Sequence, residues 1–354
     1  MKRLISLLLI AVIITSAACL TGCASFEKGK NNRSLEKYSE TYFDVFDTVT
    51  VFLAYCPDEE SFKELSDKVH KRLLEYHNMF DIYYAHEGVN GAYEINKNAG
   101  KEPVEVPKEM IKLIEQAKEL YVKTDGRVNI ALGAVLALWH DARNTGLNEP
   151  DKSYIPDMEE LKKAANHCKI DDVVVDYTKG TVYLADPEMS IDLGAIAKGF
   201  ATNQVAEEMK AEGYDHFAIS AGGNVKTVGA RGDGTNWVVA VQNPDLDNSG
   251  DYMDVMGLAG TSLVTSGVYQ RYYEYNGEKY HHIIDPATLK PENRYLSLSI
   301  ITEDSGYADA LSTGLFNMDL KEGQEFVESL ENVEALWIMP DMSLIKSSGW
   351  DDYH

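Results

Sequence analysis

The chain has 354 residues, 44% of them hydrophobic, with 57 Asp and Glu against 33 Lys and Arg and a formal net charge of −24. That apolar content suffices for a large globular core. The charge balance argues against a nucleic-acid partner and against a polybasic membrane contact, since both need clustered Lys and Arg, and what it favours is solubility at a cell surface.

The first residues, MKRLISLLLIAVIITSAACLTGC, set Lys2 and Arg3 before an apolar run too short to span a bilayer comfortably. This is an export signal over residues 1–22. Its last positions, Leu20-Thr21-Gly22-Cys23, match the lipobox of bacterial lipoproteins, so Cys23 is the expected lipidated N-terminus of the mature protein. An ordinary secretory signal with an incidental Cys23 is the alternative. Residues 23–40 are polar and read as a tether, and residues 41–354 as one large domain or two closely intergrown lobes. Beyond the signal and Cys23, only Cys56 and Cys168 remain, with no CxxC pattern and no spacing that argues for a disulfide.

Within the domain, DTVTVFLAY (47–55) predicts a strand. Residues 61–80 carry apolar side chains at helical spacing, with Ser61 as N-cap and Glu64 completing a capping box. Residues 107–124 predict a second amphipathic helix with proline in its first turn. Hairpins are expected at 173–186 around Lys179-Gly180 and at 334–347 around Pro340-Asp341. Hairpins alternating with helices favour an α+β fold of mixed, largely antiparallel sheets with packed helices. The glycines of GARGDG (229–234) lack the strand-then-helix context of a dinucleotide loop and read as turns, and DLDNSGD (245–251) lacks the closing glutamate of a calcium loop. Trp139, in an apolar helical stretch, reads as core.

Three segments carry chemistry. MSIDLGAIAKGF (189–200) predicts a strand, a turn through Gly194 and a helix whose first turn contains Ala195 and Lys198, with free amides and the Lys198 charge available to a pyrophosphate. In SGYADALSTGLF (305–316), Asp309 and Thr313 lie four residues apart on one helical face, and their hard oxygens suit Mg²⁺. In HHIIDP (281–286), an extended segment points the two histidines to opposite sides, so that one of them meets the site, where a neutral imidazole takes a proton from a hydroxyl. HEXXH is absent. For each segment taken alone a structural role competes: a surface lysine, a helix-start aspartate, a buried histidine.

Together with the FDT of residues 46–48, the NIALGAVLALWH stretch (129–140), ISAGGNV (219–225) and TSGVYQRYY (265–273), these segments resemble, in order, spacing and wording, the ApbE-type flavin transferases. The resemblance implies an ApbE-like, T-fold-like single large domain. It also implies that FAD serves as substrate, that FMN is attached to a threonine of an acceptor protein, and that AMP is released with the help of Mg²⁺. It assigns the metal to the Ala195 carbonyl, Asp309 and Thr313, the proton-accepting role to His282, and FAD contacts to Asp192, Lys198 and His282. Further flavin or adenine contacts are implied for Phe46, Tyr83, Ala131, Leu132, Gly133 and Ile284. Two positions depart from the pattern: many members have Met-Gly-Thr where this chain has Phe46-Asp47-Thr48, and Phe-Asp where it has Val128-Asn129.

The mechanism implied is attack of the acceptor hydroxyl on the FMN phosphorus, with Lys198 offsetting phosphate charge. With water in place of threonine the same groups make a FAD pyrophosphatase. A surface flavoprotein that only holds FAD, or a solute-binding lipoprotein, would need neither the histidine nor the cation site.

Overall fold

The computed structural model describes residues 34–246 and 252–354. The export signal and Cys23 lie outside the described residues, as does part of the 245–251 segment. Eight strands form one sheet: β1 (Glu36–Val45), β2 (Thr48–Cys56), β3 (Phe217–Ala221), β4 (Asn224–Val228), β5 (Ser262–Gly267), β6 (Ser297–Thr302), β7 (Glu334–Ile338) and β8 (Leu344–Lys346). Their order across the sheet follows the chain, and every neighbouring pair is antiparallel. In β2, alternation buries Thr50, Phe52, Ala54 and Cys56 on one face, the period-2 signature of a sheet strand. Pairing of β1 reaches back to Glu36, so residues 36–40, polar enough to read as tether, belong to the sheet's edge. An edge strand exposed on one side needs few apolar residues, and here Tyr38 stacks on Phe62 at 5.3 Å while Tyr42 and Val45 are buried.

The central strands bury both faces. On one side Leu298, Ile300, Ala335 and Trp337 pack with the helices; on the other Ile301, Leu336 and Ile338 pack against Val241, Met256 and Leu258 of the hairpin Trp237–Gln242/Tyr252–Leu258 and against Trp350. Two-sided burial leaves every residue of β6 buried, its serines included, and each large apolar side chain so buried contributes about 1.5–3 kcal/mol. The principal helices are α1 (Glu59–Phe80), α2 (Lys108–Lys123), α3 (Gly133–Asn148), α4 (Ala197–Ala211) and α5 (Ser305–Phe316). A smaller cluster joins Leu132, Val135 and Trp139 of the α3 region to Tyr273, Ile284 and Leu289, and Trp139 donates its indole N–H to the Leu289 carbonyl at 2.9 Å, a core role as expected.

Local details differ from the sequence expectations for identifiable reasons. Helix α1 starts two residues earlier than expected, because Asp58 rather than Ser61 is the cap: its Oδ1 accepts the Ser61 amide at 2.9 Å and the Ser61 hydroxyl at 2.6 Å. Residues 189–193 are not a strand. Their backbone bonds are taken by the Asn96 side chain, which accepts from the Ile191 amide at 2.7 Å, and by the Ile130 carbonyl, which accepts from the Asp192 amide at 2.8 Å. Helix α4 accordingly begins at Ala197 and leaves Ala195 in the preceding turn. The β1–β2 turn places Phe46 and Asp47 at φ of 55° and 50°, left-handed values that a two-residue hairpin of this hand requires. Glycine is the residue best suited there, so the departure at Asp47 is a local cost of the kind aspartate tolerates better than most.

Candidate functional site

Between the helices that cover the sheet and the α3 cluster lies a cleft of about 510 Å³. The hairpin tip Phe46-Asp47, the loop of Tyr83 and Tyr84, the turn of Asp192 to Ala195, Lys198 of α4, His282 to Ile284, and Asp309 and Thr313 of α5 all contribute to its lining. Of the residues singled out in the sequence, Phe46, Tyr83, Leu132, Asp192, Ala195, Lys198, His282, Ile284, Asp309 and Thr313 meet here from segments far apart in the chain. Ala131 and Gly133 do not line the cleft; both are buried, and the space beside Gly133 is filled by Ser190, whose carbonyl oxygen would lie 2.4 Å from an added Cβ.

The carboxylate of Asp309, 3% exposed, is held twice: Oδ2 accepts the Gly199 amide at 2.8 Å and Oδ1 lies 3.6 Å from Lys198 Nζ. The start of α4 therefore differs from the free anion site expected. The Ala197 amide bonds to the Leu193 carbonyl and the Gly199 amide to Asp309, so the positive end of the helix is occupied by the chain's own carboxylate. Asp309 and Thr313, one turn apart on α5, both face the cleft, with Ala195 across from them in the turn before α4. One carboxylate, one hydroxyl and one backbone carbonyl are an all-oxygen set that fits Mg²⁺, which keeps several waters and takes its remaining ligands from protein and phosphate oxygens. Among the described residues no group of three or more His, Cys, Asp or Glu converges into a cage of another kind.

The two histidines are separated by a bend. The strand of Glu278–His281 ends at His281, and pairing resumes only at Ile284-Asp285, because the Ile283 amide donates to His281 Nδ1 at 3.2 Å in place of a ladder bond. His281 is buried edge-on to Phe316, with Nε2 3.2 Å from the Glu292 carbonyl. His282 lines the cleft, and its buried Nδ1 has no hydrogen-bond partner. Burial, followed by the charges of Arg271, His281, Lys198 and Arg143, holds its pKa well below the usual histidine value, so it is a neutral base.

Sequence reading missed His140, Arg143 and Arg271. His140 Nδ1 lies 2.9 Å from the Tyr83 hydroxyl, and its Nε2 is 3.9 Å from Asp192 Oδ2. Burial above all, with Arg143 and Arg271 and against the pull of Asp192, lowers its pKa and so favours the neutral ring. The signal was in the apolar helix: Leu136, His140 and Arg143 fall at i, i+4 and i+7 and share one face, which turns into the cleft. Asp81 anchors the loop beside them, accepting the Tyr83 and Tyr84 amides at 2.7 and 3.2 Å and facing His86 Nε2 at 2.8 Å.

A family model described as the ApbE family matches residues 44–337. A protein of Treponema pallidum (strain Nichols) named FAD:protein FMN transferase is 34% identical over 269 residues, covering 72% of this chain and 72% of that protein. Another of the same name, from Klebsiella pneumoniae (strain 342), is 29% identical over 285 residues, covering 80% of this chain and 85% of that one. Among solved structures, the ApbE protein of Thermotoga maritima superposes with a TM-score of 0.78 at 26% identity, over 90% of this chain and 99% of that one. The flavin transferase ApbE from Vibrio cholerae gives 0.76 at 24% identity, over 90% and 100%, a likeness that bears on the fold alone.

Proposed function

Because the chain belongs to the ApbE family, we propose that it is an FAD:protein FMN transferase, moving FMN from FAD to a threonine hydroxyl of an acceptor protein and releasing AMP. The observation that carries this reading is the meeting, in one cleft, of His282, whose buried Nδ1 has no hydrogen-bond partner, with Lys198 and the carboxylate and hydroxyl of Asp309 and Thr313. A protein that merely held flavin would need none of the three.

The roles follow from the groups. His282, uncharged near neutral pH, accepts the proton of the incoming hydroxyl, whose oxygen bonds to the FMN phosphorus as the bond from that phosphorus to the bridging oxygen of AMP breaks. Lys198 offsets negative charge on the phosphate oxygens, and its link to Asp309 fixes where that charge is met. Asp309, Thr313 and the Ala195 carbonyl would hold Mg²⁺, which supplies a Lewis acid for the same oxygens. Phe46, Tyr83, Leu132, Asp192 and Ile284 line the space left for the dinucleotide. With this we propose that Cys23 is lipidated and tethers the domain on the outer, extracytoplasmic face of the cell membrane, a reading carried by the Leu20–Cys23 lipobox.

The test is to incubate the protein with FAD, Mg²⁺ and candidate surface flavoproteins and to weigh the proteins afterwards. A threonine-linked FMN adduct with AMP release supports the transferase. Free FMN without adduct would make it a FAD pyrophosphatase, and intact FAD throughout would make it a carrier.

A further inference from the structure

The positive charge in the cleft is distributed unlike the sequence expectation. Lys198 is already paired with Asp309, and Arg127 with Glu322 at 2.8 Å. Elsewhere among the described residues Arg72 pairs with Glu208, Arg231 with Asp233 and Arg294 with Asp285. Arg143 and Arg271 differ: the guanidinium of neither makes an ion pair or hydrogen bond with another described residue, and both line the cleft. In a chain carrying 57 acidic side chains, two arginines without a carboxylate in one cleft are a specific exception. Their charges bear on the same three groups, Tyr83, His140 and His282, so they belong to one locality of the site.

We propose that Arg143 and Arg271 form a second oxyanion-binding site, which meets phosphate charge of the flavin dinucleotide beyond what Lys198, shared with Asp309, offsets. An arginine fork matches a phosphate with two parallel N–H donors, and inside a cleft such charge-assisted bonds are stronger than in bulk water. Both guanidinium groups stand ready without first breaking an ion pair. Binding therefore breaks no protein ion pair, and this separates them from Lys198. Arg143 is half-buried on α3 and Arg271 is exposed, so the locality is reached from solvent. This assignment rests on the reading of FAD as substrate.

The experiment measures dissociation constants of the full-length protein for FAD, FMN, riboflavin, AMP and adenosine by calorimetry, for the wild type, Arg143→Gln, Arg271→Gln and the double variant. A wild type that does not bind FAD would remove the functional reading itself, and with it this assignment. If FAD binds, each single variant is expected to weaken it by on the order of tenfold, with the melting temperature unchanged because no protein ion pair is lost. A collapse of the FMN-over-riboflavin preference in the double variant assigns the site to the flavin-side phosphate; a collapse of the AMP-over-adenosine preference assigns it to the adenine-side phosphate. Both preferences unchanged in the double variant overturn the proposal, including the case in which only acceptor transfer is impaired. Should the glutamine variants fail to fold, Arg143→Lys with Arg271→Lys keeps the charge but loses the fork; it is expected to narrow one preference, and unaltered preferences there overturn the proposal equally.

Discussion

At the scale of single residues, adjacent histidines have opposite fates. His282→Ala is expected to leave FAD binding within about twofold and to lower transfer by roughly 10²–10⁴-fold, the span of a lost general base, read from acceptor mass against time; unchanged transfer would remove His282 from the reaction. His281 acts on stability instead. Burial lowers its pKa to about 4, against the usual 6.5, despite the Glu292 carbonyl that favours its charged form. Between those two values the unfolded chain binds more protons than the folded one, so stability rises with pH across the window and is lost as pH falls from 6.5 towards 4. At ~1.4 kcal/mol per unit the loss amounts to about 3 kcal/mol. Urea midpoints at pH 7 and pH 4.5 measure it, and His281→Leu should show a shallower drop than the wild type. That two histidines compete was legible in HHIIDP, because neighbouring side chains on an extended chain point apart. The bend between them was not, since it depends on His281 Nδ1 taking the Ile283 amide, a bond that only the packed ring can offer.

At the scale of elements, the site depends on how closely α4 and α5 approach. A Cβ on Gly199 would lie 2.2 Å from the Ser305 carbonyl oxygen and 2.5 Å from Asp309 Cβ, so the helices touch through a residue without a side chain. Gly199→Ala is expected to force them apart, destabilising the fold by about 1–3 kcal/mol as overpacking does. The same displacement stretches the Gly199 amide bond to Asp309, so turnover, which we propose depends on Mg²⁺, should fall at temperatures where the variant remains folded. Thermal melts combined with turnover check this; a variant with full activity and an unchanged melting temperature would show that the contact relaxes freely. The one-turn spacing of Asp309 and Thr313 could be read from helical periodicity alone, whereas the amide at the head of α4 that holds Asp309 lies 110 positions away and no local pattern announces it.

For the whole molecule, charge and address go together. A net charge of −24 over the whole chain favours solubility and disfavours a polybasic contact with an anionic membrane, so the membrane attachment proposed above rests on Cys23. Cys23→Ala is expected to leave an uncut, unlipidated precursor; membrane fractionation and intact mass check it, and unchanged processing and attachment would remove the anchor. By itself the sequence determined the antiparallel α+β character, the principal helices and hairpins, and the residue types of the site, because period-2 and period-3.6 patterns, turn residues and short motifs are local properties. The tertiary structure alone decided which of those residues meet. It spent the head of α4 on Asp309, turned His140 and Arg143 towards Tyr83, and left Arg143 and Arg271 unpaired in the cleft. Those outcomes depend on which distant group is held beside each amide, carboxylate or cation, and that is settled by the packing of helices on the sheet rather than by local sequence patterns.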